Sequence, residues 1–301
     1  MDRLIQPDMF SQPYMQHALL TGSIAAVLAG LVGFFVVLRG MSFAAHALGQ
    51  IGFAGAAGAV LIGVDPLWGL VVFTLAGALG LGALGAREHG RDATTALLLV
   101  AALGTGALFL ALNTAYATAA FALLFGTIVG VSSDQVWQTG VLALACAAAL
   151  AVLYRPLLLA TVDAEMAAAR GVPVRLVGML FLVVVGVAAA VTIPTVGTLL
   201  IFSLMVGPAA AATYLATRPW MVIAVGIGLA LGATWVGIIA AYDTGWPIGF
   251  IISAAVAVLY LGARFLGPRT RQQSRRVALE DATTQEQQAA PNAGRVASAR
   301  R

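Results

Sequence analysis

There is no lysine in this 301-residue chain, only one cysteine, and a charged fraction of just 9%. Ordinary soluble domains carry about 25% charged residues to cover their surface, so a water-soluble globule of this length is excluded. The lone Cys146 leaves no partner for an intrachain disulfide and no thiolate set for a metal. Also missing are paired carboxylates within one apolar stretch, a nucleophile beside a suitable base, a phosphate-cradling glycine loop and a dinucleotide fingerprint. The chain therefore reads as no enzyme, and it has no ATP motif of its own. The first 20 residues lack a basic region ahead of an apolar core, so no cleavable signal is expected.

What the chain does have is long apolar sequence, 61% hydrophobic overall. Nearly uncharged stretches run over 17–38, 42–63, 66–86, 93–113, 135–154, 174–193, 196–216, 220–241 and 246–264. A bilayer core of about 30 Å is crossed by about 20 helical residues, and a mid-bilayer Arg or Asp costs at least about 2.5 kcal/mol. The expected fold class is all-α, a polytopic transmembrane bundle of about eight or nine spanning helices. A further apolar segment, 119–131, is too short to cross and is expected to be re-entrant, covered by protein or facing a cavity. Residues 1–267 form one transmembrane domain on this reading, and 268–301 a disordered, Arg-containing cytoplasmic tail.

The arginines orient the bundle. Arg39, Arg87, Arg91, Arg155, Arg170, Arg175, Arg218 and Arg264 fall at alternate span ends, and seven more lie in the tail. The opposite side carries Arg3 with Asp2, Asp8, Asp65, Asp134 and Asp243. The positive-inside rule then puts the N-terminus outside and the C-terminus in the cytoplasm of a multi-pass plasma-membrane protein. The net charge of +4 is thus a topology signal, and no nucleic-acid partner is expected. The glycines cluster inside spans (Gly52, Gly55, Gly58; Gly77, Gly80, Gly82, Gly85), where small residues let helices approach closely.

Three features rise above the apolar background. Arg39-Gly-Met-Ser-Phe-Ala-Ala-His46-Ala-Leu-Gly-Gln50 sets an imidazole and a carboxamide four residues apart, on one face of the second span. A polar pair at membrane depth either lines a path or simply hydrogen-bonds a neighbouring helix. Leu159-Ala-Thr161-Val-Asp163-Ala-Glu165-Met-Ala-Ala-Ala-Arg170-Gly171-Val172-Pro173 reads as a short capped helix shown to the cytoplasm, a docking surface or a plain connector. Tyr242-Asp243-Thr244-Gly245-Trp246-Pro247 is read as an interfacial turn.

Together these features resemble the membrane permease subunit of the metal-type ABC importers for zinc, manganese or iron. The resemblance covers most of residues 20–262 and rests on motif order. It runs through Val37-Leu38-Arg39-Gly40-Met41-Ser42, Leu124-Phe125-Gly126, Asp163-x-Glu165-x5-Gly171-Val172, Val196-Gly197-x-Leu199-Leu200 with Pro208-Ala209-Ala210, and the Tyr242-Asp243 turn. It implies a second permease copy (a homodimer), a cytoplasmic ATP-binding subunit docked on Asp163, Glu165, Arg170 and Gly171, and a substrate-binding protein on the outer face. It implies a substrate path past His46 and Gln50, with His46 the metal-touching residue, transported zinc or manganese, and no cofactor held by the chain itself. Zinc and manganese importers of this kind typically show Asp where this chain has His46 and His where it has Gln50. The altered pair keeps a second cargo open, a metal chelate or siderophore-like molecule. A proton-coupled carrier with His46 as relay is a third reading, opposed by the scarcity of membrane carboxylates.

Overall fold

The computed structural model describes residues 12–84, 91–113, 124–126, 132–198 and 201–266. The expected tail, Arg87, Leu199, Leu200 and all of 119–131 except 124–126 lie outside these. Among the described residues every regular element is helical: α1 (Pro13–Leu38), α2 (Ser42–Leu61), α3 (Pro66–Leu84), α4 (Arg91–Ala111), α5 (Ser133–Val162), α6 (Ala164–Ala169), α7 (Val174–Val196), α8 (Ile201–Leu215), α9 (Pro219–Thr244) and α10 (Ile248–Leu266). Eight of these are long and apolar enough to cross a bilayer.

The segment 196–216 contains the 15-residue α8, about 22 Å long at 1.5 Å per residue and shorter than these eight helices. Before it, α7 ends at Gly197, at φ +87° and ψ 158°, a conformation essentially restricted to glycine. Conversely, the stretch read as 135–154 continues to Val162 as the 30-residue α5, about 45 Å long at 1.5 Å per residue and so longer than a bilayer core.

Helix ends follow local chemistry. Ser132 caps α5, its hydroxyl accepting from Gln135 N while the Gln135 side chain accepts from Ser132 N, a capping box. At the end of α1, Gly40 N donates to Val37 O and Met41 N to Val36 O, a Schellman closure. The same closure ends α6, with Gly171 N on Ala168 O and Val172 N on Ala167 O.

α2 sits at the centre, packed against α3, α4, α7 and α8, while α1 is surrounded by α5, α7, α8 and α9. The α2–α3 crossing is close because a Cβ on Gly55 would strike the carbonyl of Gly69, and one on Gly69 would strike that of Gly55. With lipid tails as apolar as leucine, such close approach is what holds helices together. Interhelical bonds add to it: Ser203 to Ser253 (2.7 Å) joins α8 to α10, and Trp235 Nε1 donates to Ser23 Oγ (2.9 Å) between α9 and α1. The outside of the bundle shows Leu97, Leu144, Val152 and Val258 openly, an apolar surface that only lipid covers at low cost.

Candidate functional site

α2 carries its polar pair inward. Gln50 is only 2% exposed, and its Nε2 donates to the carbonyl of Thr198 at 3.3 Å. That carbonyl lies beside Gly197, in the turn between α7 and α8. A helix break at membrane depth frees backbone polar groups, which must find partners within protein; here the carboxamide of α2 supplies one.

One turn earlier, the half-buried His46 meets α8. Its ring stands edge-to-face with Phe202, centroids 5.5 Å apart and planes at 80°. Phe202 itself is partly exposed, so the imidazole lies just beneath an open flank of α8. Gly49, between His46 and Gln50, has Ile201 Cγ2 3.0 Å from where a Cβ would stand, which keeps the start of α8 tight on this face.

The turn also touches a third segment. A Cβ on Gly197 would collide with the carbonyl of Leu124 and come within 2.6 Å of Phe125 C and 2.7 Å of Gly126 N. Three motifs far apart in sequence, His46/Gln50, Leu124-Phe125-Gly126 and Val196-Gly197, thus converge on one place. Thr198 and Phe202 complete it, and neither was singled out from the sequence; nothing in their local spacing signals a bond from Gln50 or a ring stacked on His46.

Two atoms of the pair are left over. His46 Nδ1 and Gln50 Oε1 are buried without a hydrogen-bond partner among the described residues. Buried polar atoms in proteins are nearly always satisfied, and exceptions point to a ligand, ion or water. One chain offers an imidazole nitrogen and an amide oxygen here, and no cluster of three or more His, Cys, Asp or Glu occurs among the described residues. Two donors do not complete a four-coordinate zinc sphere or an octahedral manganese sphere.

The docking candidates sit elsewhere. Asp163 Oδ1 caps α6 by accepting from Met166 N at 2.8 Å, and Arg170 forms its C-cap. Glu165, Met166, Arg170 and Gly171 are exposed, Val162 beside them is 77% exposed, and Ala167 alone is buried underneath. This six-residue helix is held at its base and presents both charge and apolar surface. The Tyr242–Pro247 motif is a helix end and turn: Thr244 Oγ1 donates to Ala240 O (2.7 Å) and accepts from Trp246 N (3.3 Å). It takes no part in the His46 cluster.

Comparison with known proteins covers nearly the whole bundle. The sequence model of the ABC 3 transport family matches residues 11–267. The manganese transport system membrane protein MntC of Halalkalibacterium halodurans is 29% identical over 175 residues, 58% of this chain and 60% of that protein. The manganese import system permease protein ScaB of Streptococcus parasanguinis is 28% identical over 171 residues, 56% of this chain and 61% of its own length. The alignments thus span about three-fifths of these relatives. Among solved structures, PsaBC from Streptococcus pneumoniae in complex with Fab superimposes with a TM-score of 0.80 at 25% identity, over 90% of this chain and 98% of that one.

Proposed function

Because the chain belongs to the ABC 3 transport family, a family of membrane transport components and not of enzymes, we propose that it is the permease subunit of an ATP-driven, binding-protein-dependent importer for a divalent transition metal ion, manganese or zinc. The observation that carries this is the buried pair of unpartnered atoms, His46 Nδ1 and Gln50 Oε1, one helical turn apart beside a helix break. Relatives bearing manganese transport names support the cargo class.

On this reading a second copy of the chain supplies the other half of the coordination sphere. Two imidazoles and two amide oxygens give a mixed nitrogen and oxygen set. Imidazole suits zinc and other late metals, whereas carbonyl-type oxygen with water suits manganese. The site carries no carboxylate, so it holds a dication weakly, as a transit site must if the ion is to leave. α6 docks a cytoplasmic ATP-binding subunit through Asp163, Glu165, Arg170 and Gly171, and a substrate-binding protein delivers the ion to the outer face. With α8 as a ninth, shorter crossing, the N-terminus lies outside and the C-terminus in the cytoplasm. ATP binding and hydrolysis on the partner drive alternating access between the two permease copies.

The test is cellular zinc, manganese and iron, by mass spectrometry, in metal-starved cells carrying the wild type, His46→Ala or no permease. One metal falls in the deletion strain and in His46→Ala alike if His46 lies on an ion path. Unchanged metal content in the deletion strain overturns the ion reading and favours a chelated cargo.

A further inference from the structure

We propose that Arg39 is the positioning residue that ties the ATPase-docking helix to the helix carrying His46. This rests on the importer reading. Arg39 closes α1, and the Schellman bonds through Gly40 and Met41 join it directly to α2, which starts at Ser42. His46 follows four residues into α2, about 6 Å of rise. The corner is backbone-bonded on both sides, so Arg39 and the start of α2 move together.

The other end of the guanidinium reaches the docking segment. Arg39 Nη1 donates to Thr161 Oγ1 at 3.0 Å, and that hydroxyl in turn donates to Leu157 O at 2.5 Å. Thr161 stands two residues before Asp163, the cap of α6. The guanidinium carbon lies 5.9 Å from the centroid of the Phe181 ring of α7, and Gly178 leaves room beneath it, with Arg39 Nη2 3.6 Å from where a Cβ would stand. A planar group that can stack and donate at once suits this place, and lysine does not reproduce it. α1, α5 and α7 therefore meet at one side chain, and α7 leads at its far end to Gly197 and the Gln50 contact. The Arg39–Thr161 bond pairs a charged donor with a half-buried hydroxyl acceptor, one of the stronger kinds of hydrogen bond.

A displacement of α6 by its partner thus pulls on the last turn of α5, on Arg39, and through the rigid corner on the start of α2. Without the pair the docking helix can move while the His46 cluster stays behind.

The complex with its ATPase and binding protein, reconstituted in proteoliposomes, tests this through manganese and zinc transported per ATP hydrolysed. Thr161→Val and Arg39→Gln should each lower that ratio by about fivefold or more, the lower end of typical coupling between sites. The double variant should be no worse than either single, and Thr161→Ser should restore the wild-type ratio. A residue that merely holds the fold would lower transport and hydrolysis together and leave the ratio unchanged; that result, or ATPase lost from purified Thr161→Val, overturns the proposal. Glu165→Ala serves as the control. If it too leaves the ratio unchanged, the docking reading of α6 fails; if it alone uncouples, only the Arg39 link fails.

Discussion

At the scale of single residues, the most constrained position is Gly197. Its φ of +87° with ψ 158° is strained for any side chain by about 1–3 kcal/mol, and the space a Cβ needs is taken by the backbone of Leu124, Phe125 and Gly126. Gly197→Ala is expected to destabilise the detergent-solubilised protein by at least about 1–3 kcal/mol and to lower its thermal midpoint. An unchanged midpoint would mean that this turn relaxes freely. His46 and Gln50 were legible in the sequence because polar groups are conspicuous in an apolar span. Their partners were not, since Thr198 and Phe202 differ in no local respect from the many other threonines and phenylalanines of the chain.

At the scale of elements, length decided what hydropathy left open. The stretches 135–154 and 196–216 look equally apolar, yet one extends into a 30-residue helix and the other is cut to 15 residues. The helix before the shorter one ends at Gly197; the longer one, at about 45 Å, exceeds a bilayer core of about 30 Å, which lets its last third carry Arg155 at little cost. α6 was readable from its signals, a cap at Thr161 or Asp163 and a terminating Gly171; the structure uses Asp163 and Gly171. Losing an N-cap costs about 1 kcal/mol. Asp163→Ala should therefore speed hydrogen exchange of the amides in 164–169 by about fivefold, measured by mass spectrometry, with the long helices unaffected. No change in those amides would show that α6 is held by Ala167 packing alone.

For the whole molecule, the arrangement puts α2 at the centre, and the proposed orientation puts the arginine-bearing ends in the cytoplasm. The proposed orientation has a direct check, since only Cys146 must be removed before new cysteines are placed. In a Cys146→Ala background, Ser132→Cys should react with a membrane-impermeant maleimide added to intact cells, and Arg170→Cys only after the membrane is opened. The reverse pattern would invert the topology and move the docking helix to the outer face.

The sequence by itself determined the medium and the helical class. Those follow from composition and run length, properties that each segment carries alone and that the cost of charge in hydrocarbon makes decisive. Motif order was also enough to point to the transport family. The tertiary structure decided which of those motifs belong together. Gln50 meets Thr198 across 148 positions, and Arg39 meets Thr161 across 122; neither bond leaves a local trace, because it depends on how closely small residues let the helices approach and on which backbone groups a helix break sets free.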